Sequence, residues 1–427
     1  MFSGHKAVLG ENYEDTFDIT VKAEDFKFGI ERTLSEQTGS ADAPLFSAVK
    51  SISTPDDFTI VFNLSYADDN FLYALTNPGA MPCDEEFFNL TNGKYGLDAK
   101  YLLCNGPFHV SKWTEKTSVK LVKNNEYNGE SSVSPSSVTF YINNNDSEVA
   151  DKMNSVTYDV AFLSSSQFSS IENKKDLNSV AVQNVTYSFI FNQNDNNYRN
   201  KNMRLAFCRS CDTSSLFDSQ SDISKADGIV PPSCKIGGED YRNGNAAELL
   251  SYDETLAKKN FNDALLELGS SSVETTILCT EQYESFVKQM VQKLQKTLGV
   301  KFVSTVKVVS ESDLEAAVND GNYSVAFYPF KAKSSFAGEI IEGFDQNNIF
   351  GYESDVLSQK IRNIKNNSGS LEGERSAVAD AENYLVSEAV IMPVFYENSY
   401  FVTSKKTSGI YFYSSADNVC FINAKKS

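Results

Sequence analysis

Val185-Thr-Tyr-Ser-Phe-Ile-Phe-Asn192, followed by Arg204-Leu-Ala-Phe-Cys-Arg-Ser-Cys-Asp212, decides how this chain is read. The first run is an apolar strand of Tyr, Phe and Ile that stops at a polar Asn. After a short polar link comes a helix, because Met203, Ala206 and Phe207 recur at the spacing that puts them on one face. Neither run contains an enzyme motif.

The segments on either side extend the pattern. Residues 22–37 carry Phe26, Ile30, Thr33 and Leu34 on one stripe and read as a helix, although Lys22 stands where a Ser or Thr cap is expected. Residues 46–64 alternate around Pro55-Asp-Asp57, and residues 107–123 alternate with the lone Trp113 near the turn, so both read as hairpins. A helix, a small turn and Tyr158-Asp-Val-Ala-Phe162 are echoed by a helix, Gly321-Asn322 and Tyr323-Ser-Val-Ala-Phe327. Such a repeat is what two α/β lobes built on one plan would show. Further helices are expected near 254–268, closed by Gly269, and near 281–298, closed by Gly299. The latter carries Phe286, Met290, Val291, Leu294 and Leu298 as a core-facing stripe. Two chain crossings, at about 186–194 and 390–398, would join the lobes.

The 427 residues, 41% hydrophobic, can bury more than one core. A net charge of −19 argues against nucleic acid, whose phosphates need clustered Lys and Arg. No run of about 18 apolar residues is present to span a bilayer. Seven cysteines form no framework, and Cys208-x-x-Cys211 falls within a helix pattern with no His or second pair to complete a metal or redox site. His5 and His109 are the only histidines, and His109 sits in the alternating Phe108-His-Val-Ser-Lys-Trp113 as a solvent-facing strand residue. Asp84-Glu85-Glu86 and Glu311-Asp313 lie at helix starts, where acids complement the helix dipole. Gly237-Gly238 marks a turn-rich loop rather than a phosphate cradle. No catalytic apparatus, metal site or cofactor is expected.

The opening stretch also resembles the central crossing of the extracytoplasmic solute-binding proteins of the oligopeptide and dipeptide class, which serve ABC importers. There a strand ending in Asn leads to a helix written roughly Arg-x-Ala-x-x-x-x-x-Asp, and Arg204, Ala206 and Asp212 occupy those places. Four more segments resemble the family in order. They are Ile19-Thr-Val-Lys-Ala-Glu-Asp-Phe26 with Glu31-Arg32; Cys104-Asn-Gly-Pro-Phe108 with Lys112-Trp113 and Asn125-Glu-Tyr127; Asn347-Asn348 with Asp355; and Ala389-Val-Ile-Met-Pro393.

The resemblance implies an α/β, two-lobed periplasmic-binding-protein-like fold with an interlobe cleft. Lobe I would be residues 1–190, including a small subdomain remnant over about 1–90; lobe II would be 191–393, and 394–427 would return to lobe I. It further implies an extracytoplasmic protein that is no enzyme. Such a protein captures a peptide or other small solute, hands it to a membrane permease, and meets the membrane only through a lipid anchor that this chain does not carry. Family members begin with a signal and opening strands before the helix near Lys22, and the chain is expected to lack that segment. Candidate lining residues are Tyr187, Asn192, Tyr328, Phe330, Asn347, Asn348 and Tyr396. In peptide-binding relatives the stretch after the second repeated strand carries an Asp for the peptide ammonium, whereas here it reads Tyr328-Pro-Phe-Lys-Ala-Lys-Ser334 without an acid. Free peptides held there by the amino terminus are disfavoured, and an anionic, N-blocked or non-peptide solute fits as well. The alternative to transport is a surface sensor or protein-interaction module derived from the same family.

Overall fold

The computed structural model describes residues 3–4, 20–66, 71–129, 132–142, 146–213, 216–217, 222–332, 336–345, 348–367, 369–413 and 418–427. The chain divides into two compact units. The first comprises 1–149, 405–411 and 419–427; the second comprises 150–404 and 412–418.

In the first unit, helix α1 (Ala23–Leu34) forms where the apolar stripe requires it and buries Ile30. The missing Ser or Thr cap is replaced from inside the helix, since the backbone N–H of Lys22 donates to Asp25 Oδ2 at 2.7 Å. Strands β1 (Val49–Asp56) and β2 (Thr59–Leu64) pair as the first expected hairpin. Strands β3 (Phe108–Thr114), β4 (Ser118–Lys123) and β5 (Ser137–Tyr141) form a three-stranded antiparallel sheet, with Trp113 one pair from its turn. His109 does not stand out to solvent against buried neighbours. Phe108 to Ser111 are all half-buried, because the register shifts between Val110 and Lys112 and the bulge breaks the alternation.

Helix α2 (Asp146–Asn154) carries the chain into the second unit, where β6 (Val160–Ser164), β7 (Leu177–Val182) and the later β14 (Ser399–Ser404) make an antiparallel sheet of order β6-β14-β7. The main sheet follows. Its strands are β8 (Val185–Phe191), β9 (Ile223–Lys225), β10 (Val273–Thr280), β11 (Phe302–Val309), β12 (Val325–Lys331) and β13 (Ile391–Glu397), in the order β9-β13-β8-β12-β10-β11. β8 is antiparallel to both neighbours, β12 and β13, while β10 runs parallel to β11 and β12.

Helices cover both faces of this sheet, and β8 is aromatic on one face at Tyr187, Phe189 and Phe191, while the other carries the buried hydroxyls of Thr186 and Ser188 before Ile190. On one face, Phe189 and Phe191 meet helix α3 (Lys201–Ser210), α4 (Glu254–Leu268) and α5 (Glu284–Leu298) through Met203, Phe207, Phe261 and Met290. On the other, Ile190 meets α6 (Glu311–Asn319), α7 (Ala337–Glu342), α8 (Asp355–Asn366) and α9 (Leu371–Ser387) through Leu314, Ile341, Ile361 and Leu385. Gly269 closes α4 in the left-handed conformation at φ 63°, which a side chain would resist. The Cys208-x-x-Cys211 pair straddles the end of α3, Cys208 within it and Cys211 as its cap, and both are buried.

One ionic group lies inside the second core. Glu382 of α9 is 1% exposed, and its carboxylate accepts from the N–H of Ile229 at 2.6 Å and of Val230 at 2.9 Å. It also accepts from Tyr241 Oη at 3.0 Å and is bridged by both terminal nitrogens of Arg242. Burial works against the Arg242 charge, but the carboxylate outweighs it and holds the guanidinium above its ordinary pKa. A Cβ on Gly228 would collide with both partners, so only glycine fits beside the pair. Among the described residues no helix is long and apolar enough to cross a membrane.

Glu382→Gln leaves the Arg242 charge buried without its counter-ion and is expected to cost about 3–5 kcal/mol in urea unfolding. Phe58→Ala, at a side chain 90% exposed, serves as the near-neutral control. Alkali is expected to destabilise the second unit. Burial pushes the thiols of Cys208, Cys211 and Cys234 up to about 12 from an ordinary 9.0. The unfolded chain therefore sheds protons above its own thiol pKa that the folded chain still holds, and stability falls as pH rises through that window. Urea midpoints measured from pH 7 upward should decline once the unfolded thiols begin to ionise.

Candidate functional site at the carboxyl end of the main sheet

β10, β11, β12 and β13 run in one direction and finish at Thr280, Val309, Lys331 and Glu397, and β8 begins at that same end with Val185. In open α/β sheets the crevice outside the carboxyl ends of the strands is where loops can approach a ligand without breaking the ladder. Here α5 starts just after β10 and α6 just after β11, so two helix amino termini also face this end.

On the face covered by α3 to α5, Tyr187 is half-buried in an aromatic group. Its ring centroid lies 4.4 Å from Tyr283, 5.1 Å from Phe395 and 5.5 Å from Phe327. The Tyr283 hydroxyl donates to Glu397 Oε1 at 2.6 Å and accepts from Gln282 Nε2 at 3.1 Å. Burial first, and the neighbouring Tyr187 and Glu397 next, drive the Tyr283 hydroxyl well above the ordinary phenol range. It stays protonated at neutral pH and can only donate to the carboxylate. Burial does the same for Tyr187.

On the opposite face, Tyr396 is buried. Its oxygen accepts from the N–H of Asp227 at 3.1 Å and its O–H points to the carbonyls of Gly228 and Val230 at 3.5 Å. Burial pushes this phenol up to about 12. Phe330 pairs in register with Thr186 and stacks on Phe344 and Phe350, each at 5.8 Å, while Tyr328 meets the Phe330 ring edge-on at 5.6 Å.

The structure thus brings Tyr187, Phe330 and Tyr396 to one strand end, with Tyr328 two residues further in. Asn192 lies beyond the other end of β8, where its amide donates to the carbonyls of Gly321 and Tyr323, both at 2.8 Å, and its oxygen accepts from the N–H of Asn194 at 3.0 Å. Asn348 ties its own loop, donating to the carbonyls of Phe344, Asp345 and Tyr352 and accepting from the N–H of Phe350 and Tyr352. Asn347 and Lys333 lie outside the described residues. Sequence reasoning passed over Tyr283 and Glu397. The signal for Glu397 was an acid closing an apolar strand; Tyr283 had none, because only the fold carries it from the start of α5 to β13.

The family model for bacterial extracellular solute-binding proteins, family 5 Middle, matches residues 16–350. A dipeptide-binding protein, DppE, of Bacillus subtilis strain 168 is 22% identical over 425 residues, covering 94% of this chain and 77% of that protein. Among solved structures, the substrate-binding domain of an oligopeptide ABC transporter from Bacillus anthracis superposes with a TM-score of 0.77 at 19% identity, over 96% of this chain and 84% of that one. Listeria monocytogenes OppA bound to peptide gives 0.76 at 21% identity, over 95% and 84%. These likenesses give the fold: the two-lobed α/β arrangement expected from the sequence.

Asn192→Ala strips two buried carbonyls of their donor and is expected to lower stability by about 1–3 kcal/mol. Solute affinity should be unchanged at saturating folded protein, as read by paired urea and calorimetric measurements.

Proposed function

We propose that this chain, which belongs to family 5 of the bacterial extracellular solute-binding proteins, captures a peptide or similar solute outside the membrane and delivers it to the permease of an ABC importer. The family assignment makes it a substrate-binding component. Its peptide ligand, its permease partner and its extracytoplasmic place are our reading. The observation that carries this reading is the carboxyl end of the main sheet. Aromatic side chains there, Tyr187 and Phe330 foremost, share one strand end with charged groups, Lys331 and Glu397. Apolar surface with a few convergent polar groups is the usual make-up of a small-solute site. Capture and release make and break no bond, so no acid, base or nucleophile is required.

Thermal melts with synthetic peptides of two to eight residues test this. A ligand at one hundred times its Kd adds about 2.7 kcal/mol to folded-state stability, enough to raise the melting temperature by several degrees. Unchanged melting across the whole series at millimolar concentration would overturn the peptide reading.

A further inference from the structure

We propose that Cys208, Cys211 and Met392 form a three-sulfur site for a soft monovalent ion, Cu(I), at the end of α3. The three residues line one cavity of about 220 Å³. Such a site takes an ion rather than the transported solute, so it does not depend on the peptide reading.

Two of the donors come from one helix end. Cys208 lies in the last turn of α3 and Cys211 is its cap, a spacing that sets the two Cβ atoms about 5–6 Å apart. Both sulfurs can therefore reach one ion at roughly the 2.3 Å of a metal–thiolate bond. The third donor comes from a distant strand, which is why nothing near the pair in the chain announces it. Met392 of β13 lies opposite Phe189 in register and so shares its face, the face that α3 covers. Arg204, one turn before Cys208 on the same side of α3, donates to the carbonyls of Glu388 and Ala389 and holds that side against the start of β13.

The donor set selects the ion. Two thiolates and a thioether within apolar walls that include Leu250, Ile391 and Val394 are the soft ligands that favour Cu(I). Among the described residues no three His, Cys, Asp or Glu side chains are grouped for a metal, so Zn(II) finds no tetrahedral set. Loading breaks two S–H bonds, sends both protons to water and forms two Cu–S bonds, and copper stays Cu(I) throughout. The neutral Met392 thioether adds the third bond. Burial keeps both thiols protonated at neutral pH until an ion displaces the protons, and loading also gives up the weak contact of the Cys211 thiol with the Met290 carbonyl at 3.8 Å. The resulting complex carries one net negative charge. Arg204 and Arg209 act on the Cys208 sulfur, and Lys293 on that of Cys211, in the direction that favours the anion, against Asp212. Lys225 and Tyr252 line the same cavity and are exposed, which gives it access to solvent.

The test is titration of the full, reduced chain with Cu(I), kept reduced by ascorbate without air, in competition with a chromophoric Cu(I) chelator. One Cu(I) per chain should resist the chelator, and X-ray absorption at the copper edge should show sulfur neighbours alone. Cys208→Ser and Cys211→Ser should each weaken retention by about tenfold or more. Cys234→Ser, at a buried thiol elsewhere in the second unit, should leave it unchanged. Met392→Leu, which keeps the side-chain volume, should weaken retention less and remove one sulfur neighbour. Copper stripped fully by the chelator, or retained equally by both serine variants of the pair, would overturn the inference. An equal loss in Cys234→Ser would overturn it as well. Should the serine variants fail to fold, Met392→Leu decides alone, and an unchanged sulfur count there rules the site out.

Discussion

The burial of β8 on both faces is the constraint on which the second unit depends. Six of its seven residues are buried, and Tyr187 is the half-buried exception. A strand paired on both sides and covered on both faces favours small or apolar side chains throughout, and β8 departs from that only at the small buried hydroxyls of Thr186 and Ser188. Aromatic residues at 187, 189 and 191 then choose the helices of one layer, and Ile190 those of the other. Arg204 fixes the following helix against the approach to β13 by donating to the carbonyls of Ala389, Glu388, Tyr198 and Arg199. The helix that follows β8 is thereby tied to the start of β13.

The Glu382–Arg242 group is the second fixed point. Removing two charges from water is costly, and the cost is offset only because every oxygen of the carboxylate finds donors, two of them backbone N–H groups of the 227–230 segment. That segment in turn receives the Tyr396 hydroxyl. The 227–230 loop is thereby tied both to the buried ion pair and to Tyr396 of β13.

At that end the chemistry changes from apolar to mixed. Strand ends are where the ladder stops using backbone groups and where side chains can be charged without burial. Lys331 and Glu397 sit there, Tyr283 reaches the carboxylate, and Tyr187 is the half-buried ring of an otherwise buried aromatic group behind them. Binding by such an edge needs no moving bond, only charges and rings at fixed spacing, which suits a protein of this family.

Much of this was legible in the sequence. The apolar run 185–191, the stripe of α5 and the Gly269 stop specify their elements through local periodicity and φ preference, and those forces act within a few residues. The family could be recognised for the same reason, since its motifs are local. Site roles were less legible. Asn192 and Asn348 are polar residues at turns, and nothing local tells an amide that tethers backbone carbonyls from one that meets a solute. The meeting of Tyr283 with Glu397, residues 114 apart in the chain, and of Arg242 with Glu382, 140 apart, follows from strand order and helix packing alone. Sequence by itself determined the elements, the family and the charge balance; the tertiary structure decided which end of the sheet gathers rings and charges, because only register and burial bring distant residues into one row.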